Sequence, residues 1–242
     1  MSADPPRIFV LVPGAWHGAW CWERLTPLLE ERGHHVLTPE LAGTGSSTVD
    51  PATVSLERWA KDIAQLCREQ PRPVTLLGHS RGGIVASRAA ELVPESLRRL
   101  VYVAAYLLPA GGQIAAEARG DPDSLVPANM VSAREGTTCT LRPEVLRDAF
   151  YNDCDEATAA WASQKLTPEP LKPLVTPLRL TPVRFGRVAR AYIECTRDRT
   201  IGLAAQRRMQ LTLPCDPVFT LDSGHSPFLS RPRELAELLC HL

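Results

Sequence analysis

Lysine is nearly missing from this 242-residue chain, occurring only at Lys61, Lys165 and Lys172. The 27 basic residues are matched by 27 acidic ones, so no net field draws the chain to nucleic acid or to an anionic membrane. No run of 18 apolar residues occurs that could form a transmembrane helix. The opening Met1-Ser2-Ala3-Asp4-Pro5-Pro6-Arg7 contains no apolar stretch of the kind a signal peptide needs, and a cytoplasmic location is expected. The cysteines (Cys21, Cys67, Cys139, Cys154, Cys195, Cys215 and Cys240) are odd in number and form no CxxC pair, which argues against a disulfide framework or a zinc centre. Most should be small buried apolar groups. There is no internal repeat and no low-complexity linker. What is left is a chain long enough for one α/β domain with a sizeable core, with a small, largely uncharged molecule as its expected partner and no cofactor or metal.

Short apolar runs mark the strands. Ile8-Phe9-Val10-Leu11-Val12 ends in Pro13-Gly14, as expected for a strand buried on both faces of a parallel sheet. A helix is predicted from about Trp20 to Arg32, stopped by Gly33, followed by a strand over His34 to Pro39 and a glycine-containing loop from Leu41 to Ser47. Ser55 reads as the N-cap of a helix from Leu56 to Cys67, whose apolar positions Leu56, Trp59, Ile63 and Leu66 recur at helical spacing. Val74-Thr75-Leu76-Leu77, Leu100 to Ala105, Ala191 to Cys195 and Pro217 to Leu221 read as further strands, with helices near Ile84 to Leu92, Leu203 to Leu211 and Arg231 to Leu242. Alternating strands and helices specify a mostly parallel sheet with right-handed connections. The alternation breaks between Leu107 and Gly186, a stretch with short amphipathic pieces and no convincing core strand. The expected organisation is therefore a core formed by residues 1–106 and 187–242, with a helical cap inserted at 107–186.

Gly78-His79-Ser80-Arg81-Gly82 stands between a predicted strand and a predicted helix, the context of a nucleophile elbow. Glycines two residues before and after the serine give the room such a sharp turn needs. A serine hydroxyl needs a base, and the base needs an orienting group. His225, just past the last predicted strand, is the candidate base. His79 should point away from the nucleophile, His34 and His35 begin a strand at the wrong edge, His241 lies on the terminal helix, and His17 belongs to the loop after the first strand. Asp198, after the strand before the last, is the candidate acid, in competition with Asp216 and Asp222. Pairing of Asp198 with Arg197 or Arg199 at the surface is the structural alternative. The developing oxyanion needs two N–H donors, expected from the backbone of Arg81 at a helix N-terminus and of Ala15 in Pro13-Gly14-Ala15-Trp16-His17-Gly18.

Taken together, Val10 to Trp20, Gly78 to Gly83, Thr196-Arg197-Asp198 and Gly224-His225 make the chain resemble the α/β-hydrolase fold superfamily, in particular its plant methyl esterases, hydroxynitrile lyases and bacterial relatives. Lyases of this type carry a lysine directly after the catalytic histidine and a threonine in the oxyanion loop. Ser226 and Gly14 stand there in this chain, which turns the expectation towards an esterase. Arg81 departs from the apolar residue common at its position, and the sequence leaves open whether it faces solvent or a substrate carboxylate. The expected activity is a cofactor-free serine hydrolase cleaving a carboxylic ester, a methyl ester or lactone included, through an acyl-enzyme. Thioester cleavage, a lyase or cyclase reaction, and simple ligand binding are the alternatives on this scaffold. Trp16, His17, Phe150 and Trp161 are candidates for the substrate wall, with packing inside the cap as the competing role. The sequence is silent on oligomeric state, a homodimer included.

Overall fold

A computed structural model of the chain describes residues 6–242. Among the described residues nine strands occur in chain order: β1 (Ile8–Val12), β2 (His35–Leu37), β3 (Val74–His79), β4 (Leu97–Val103), β5 (Met130–Ala133), β6 (Thr138–Leu141), β7 (Glu169–Pro170), β8 (Arg190–Cys195) and β9 (Val218–Leu221). Six of them form one all-parallel sheet in the order β2-β1-β3-β4-β8-β9. β1 and β3 are buried at every residue, as the unbroken apolar runs require for strands covered by helices on both faces. In-register pairs such as Val12 with Gly78, His79 with Val103 and Cys195 with Leu221 bring the carboxyl ends of neighbouring strands to one edge. The loops after β1, β3, β8 and β9 leave that edge, where open α/β sheets bind their ligands.

Helix Leu56–Arg68 begins as expected: the Ser55 hydroxyl accepts from the Arg58 N–H at 3.2 Å, and Leu56, Trp59 and Ile63 face the core. Helix Gly82–Leu92 follows the elbow and ends two residues before Pro94. The single helix expected from Trp20 to Arg32 is instead two short pieces, Ala19–Trp22 and Thr26–Glu30, because Pro27 can occupy only a first turn. The expected closing helix is present as Pro232–Cys240, preceded by a separate one-turn helix, Pro227–Ser230.

The segment between β4 and β8 departs from the all-helical expectation. Its short helices, among them Ile114–Arg119, Leu146–Phe150 and Glu156–Gln164, accompany a three-stranded antiparallel sheet in the order β5-β6-β7. β5 is mostly exposed and β7 has two residues, so neither leaves a period-2 apolar signature long enough to read. Many bonds tie this segment to the main sheet's loops. The Trp16 indole N–H donates to the Cys139 carbonyl at 3.1 Å, the Thr167 N–H to the Trp16 carbonyl at 3.0 Å, and the Leu125 N–H to the Arg199 carbonyl at 2.8 Å.

Candidate active site

Ser80 sits between β3 and the following helix with φ +52°, in the left-handed region that a non-glycine residue adopts only when its surroundings impose it. Its N–H donates to the Val103 carbonyl at 3.3 Å, and its carbonyl accepts from Gly83 and Tyr106. A Cβ on Gly78 would lie 2.5 Å from the Gly82 oxygen, and one on Gly82 would lie 2.5 Å from the Val12 oxygen. Close backbone approach, rather than unusual φ, is what these two glycines provide.

Asp198 is buried, and its carboxylate accepts four donors. Oδ1 takes the Thr200 N–H at 2.7 Å and the Ile201 N–H at 3.0 Å; Oδ2 takes His225 Nδ1 at 2.8 Å and Gln206 Nε2 at 3.4 Å. A carboxylate only accepts, so Nδ1 of His225 carries hydrogen and Nε2 is left as the ring's acceptor. The competing surface role falls away, because Arg197 pairs with the exposed Asp222 at 2.9 Å and Arg199 with Asp148 at 3.5 Å. Gln206, which sequence reasoning missed, also holds the β8 end through the N–H and carbonyl of Cys195. His79 Nε2 donates to the His225 carbonyl at 2.8 Å, and the two rings lie 4.6 Å apart. The loop carrying His225 is thereby fastened to the residue adjoining Ser80.

Ser80, Ala15, Trp16 and Arg81 all line one cavity of about 320 Å³. Its other walls are largely apolar, with Tyr106, Ile114, Val126, Met130 and Leu174 among them. The N–H groups of Ala15 and Arg81 donate to no group among the described residues. Gly14 lets the Ala15 loop lie against the elbow: a Cβ there would stand 2.9 Å from Ser80 Cβ and 2.8 Å from His79 Nδ1.

Three of the four expected wall residues lie elsewhere. His17 is buried behind the loop, with Nδ1 on the Ala15 carbonyl at 2.8 Å and Nε2 facing the Tyr151 hydroxyl at 2.9 Å. Burial lowers its pKa to about 3, and its interaction with Ala15 opposes this only in part. Phe150 packs on the rings of Trp16, His17 and His225, also behind the cavity. Trp161 stands edge-on to Trp20 at 5.3 Å. Only Trp16 of the four lines the cavity. The lining residues that sequence reasoning missed come mainly from the segment between β4 and β8, where Ile114 and Ala118 are spaced one helical turn apart but nothing in the sequence says what that face covers.

The Arg81 side chain faces neither solvent nor a vacant substrate position. It is buried, with Nε 2.9 Å from Glu169 Oε1 and its guanidinium 4.4 Å from the centre of the Trp59 ring. Burial pushes the Glu169 carboxyl up and the Arg81 guanidinium down from their ordinary values, and the opposite charge beside each resists the shift. Five cysteines are buried, and burial pushes the Cys67 and Cys139 thiols up to about 12. Among the described residues no group of three or more His, Cys, Asp or Glu side chains is disposed to hold a metal ion. No helix among them is long and apolar enough to cross a membrane.

Residues 9–238 match the family model described as the alpha/beta hydrolase family. The chain belongs to that family. Among curated members, this α/β hydrolase is 31% identical over 246 residues to the putative chloroplastic methylesterase 11 of Arabidopsis thaliana, an alignment covering 97% of the chain and 63% of that relative. It thus spans less than two thirds of that protein's length. Among solved structures, polyneuridine aldehyde esterase superposes with a TM-score of 0.87 at 26% identity, covering 98% of each chain. A pyrethroid hydrolase from Sphingobium faniae JZ-2 superposes with a TM-score of 0.86 at 29% identity, covering 97% of this chain and 96% of the other.

Proposed function

We propose that this α/β hydrolase cleaves a neutral carboxylic ester of a small hydrophobic compound through an acyl-enzyme on Ser80. The observation that carries the proposal is the convergence on one apolar cavity of an elbow serine and two N–H donors without protein partners. In this reading Ser80 Oγ attacks the ester carbonyl while His225 Nε2 takes its proton. The Ala15 and Arg81 N–H groups hold the oxyanion of the tetrahedral intermediate. Collapse expels the alcohol, which receives the proton from His225; water then attacks the acyl-enzyme with His225 again as base, and the acid leaves. Asp198 keeps Nδ1 protonated and stabilises the imidazolium as it forms.

A neutral substrate is favoured because the cavity presents carbon on most of its surface, the Arg81 charge is already paired, and the other charged lining residue, Arg119, is exposed. The names of the relatives, methylesterases and a pyrethroid hydrolase, agree with ester cleavage. The test combines fluorophosphonate labelling, read by intact mass, with turnover of p-nitrophenyl esters of increasing acyl length and of matched acyl thioesters. Wild type should label once and turn over the esters, and Ser80→Ala should do neither, with kcat down by about 10⁴–10⁶. A folded wild type that neither labels nor hydrolyses would overturn the proposal, and faster thioester turnover would move it to a thioesterase.

A further inference from the structure

The peptide units on either side of Ala15 are both clamped by one buried ion pair. Arg81 Nη2 donates to the Gly14 carbonyl at 2.8 Å, and that carbonyl belongs to the same planar peptide unit as the Ala15 N–H. In a trans peptide the two point in opposite directions, so fixing the oxygen aims the N–H. A cation on the oxygen also draws electron density from the amide and makes its N–H a stronger donor. The next unit is held at both ends: the Trp16 N–H donates to Glu169 Oε2 at 3.0 Å, and the Ala15 carbonyl meets His17 Nδ1. Trp16 has φ +63°, a conformation that a bulky residue keeps only under such restraint.

We infer that Arg81 and Glu169 are a positioning pair for the oxyanion donors. Arg81 offers its own backbone N–H to the cavity while its side chain aims the Ala15 N–H, and β7 lends the anion that holds the guanidinium in place. Because Glu169 lies in the segment between β4 and β8, that segment contributes to the reacting end of the site as well as to its walls. The inference rests on the esterase reading for its kinetic consequence and on geometry alone for the clamp.

Removing one charge would strand the other in the interior, so the deciding variant is Arg81→Met/Glu169→Met, which removes both. Its p-nitrophenyl ester kcat should fall by about 10- to 100-fold with KM within about threefold, the pattern of a lost transition-state interaction. Arg81→Lys keeps the charge but cannot hold Glu169 and the Gly14 carbonyl in the same fork, and should show the same split at about 3- to 10-fold. The Ala15 amide, followed by ¹⁵N NMR shift and hydrogen exchange in wild type and both variants, reads the clamp without any turnover. A shifted, faster-exchanging Ala15 amide is expected in either variant. Wild-type kcat and an unmoved Ala15 amide in folded variants would overturn the inference. An inactive wild type with an amide that still moves would overturn the esterase reading and leave the clamp standing.

Discussion

Asp198 illustrates how much a single residue's surroundings decide. Three aspartates compete in the sequence, and the one that meets His225 is the one whose remaining lone pairs are filled by two backbone N–H groups and an amide. Such a carboxylate cannot rotate away, so the imidazole is held in one tautomer. Asp198→Asn would place an N–H or an amide oxygen opposite His225 Nδ1 and favour the wrong tautomer. We expect kcat to drop by about 10³–10⁴ with KM little changed and the fold intact, as steady-state kinetics and circular dichroism would establish. An unchanged kcat would remove Asp198 from the mechanism. The sharp turn at Ser80 and the place of His225 just past the last strand were legible from local signals, the first from its strand-turn-helix context. His17 was misjudged, since its place in the loop after β1 did not reveal that Tyr151, from 134 residues away, would turn the ring inward.

At the scale of the element, the elbow depends on glycines that differ sharply in their room. Gly82→Ala would drive a methyl into the Val12 carbonyl, with the Pro13 carbonyl 2.9 Å away and no flexible atom to yield. Gly120, at the end of helix Ile114–Arg119, has φ −85° and meets only oxygens at 3.4 and 3.8 Å. Thermal or urea unfolding should therefore show Gly82→Ala less stable by about 3 kcal/mol or more and Gly120→Ala within about 0.5 kcal/mol of wild type. Equal effects would mean that the elbow backbone relaxes freely. The parallel strands were readable because continuous apolar runs and helical periods are local properties. The β5-β6-β7 sheet was not, because its strands are short and its pairing of Cys139 with Glu169 joins positions 30 residues apart.

At the scale of the whole molecule, the cluster around the site carries buried neutral histidines. Burial lowers the pKa of His17 to about 3 and that of His79 well below its ordinary value. A folded pKa below the unfolded value near 6.5 means that the unfolded chain binds protons first as the pH falls. The stability from each histidine is complete above about pH 6.5 and drains away below it, by about 1.4 kcal/mol per pH unit per group, down to about pH 3 for His17. Unfolding free energy should therefore fall steeply between pH 6 and 4, and His17→Phe should flatten that slope whatever its effect at pH 8. An identical slope in the variant would show that His17 is protonated without unfolding.

The sequence by itself determined the parallel sheet, the elbow at Ser80 and the chain order of serine, acid and histidine, because periodicity, turn chemistry and the order of elements are written along the chain. Tertiary structure alone decided that Asp198 rather than Asp222 meets His225, that Trp16 but not His17, Phe150 or Trp161 lines the cavity, and that Arg81 is paired with Glu169, 88 residues away. Each of these depends on which side chains become neighbours after folding. Burial then makes the choice binding, since a charge removed from water must find its partner.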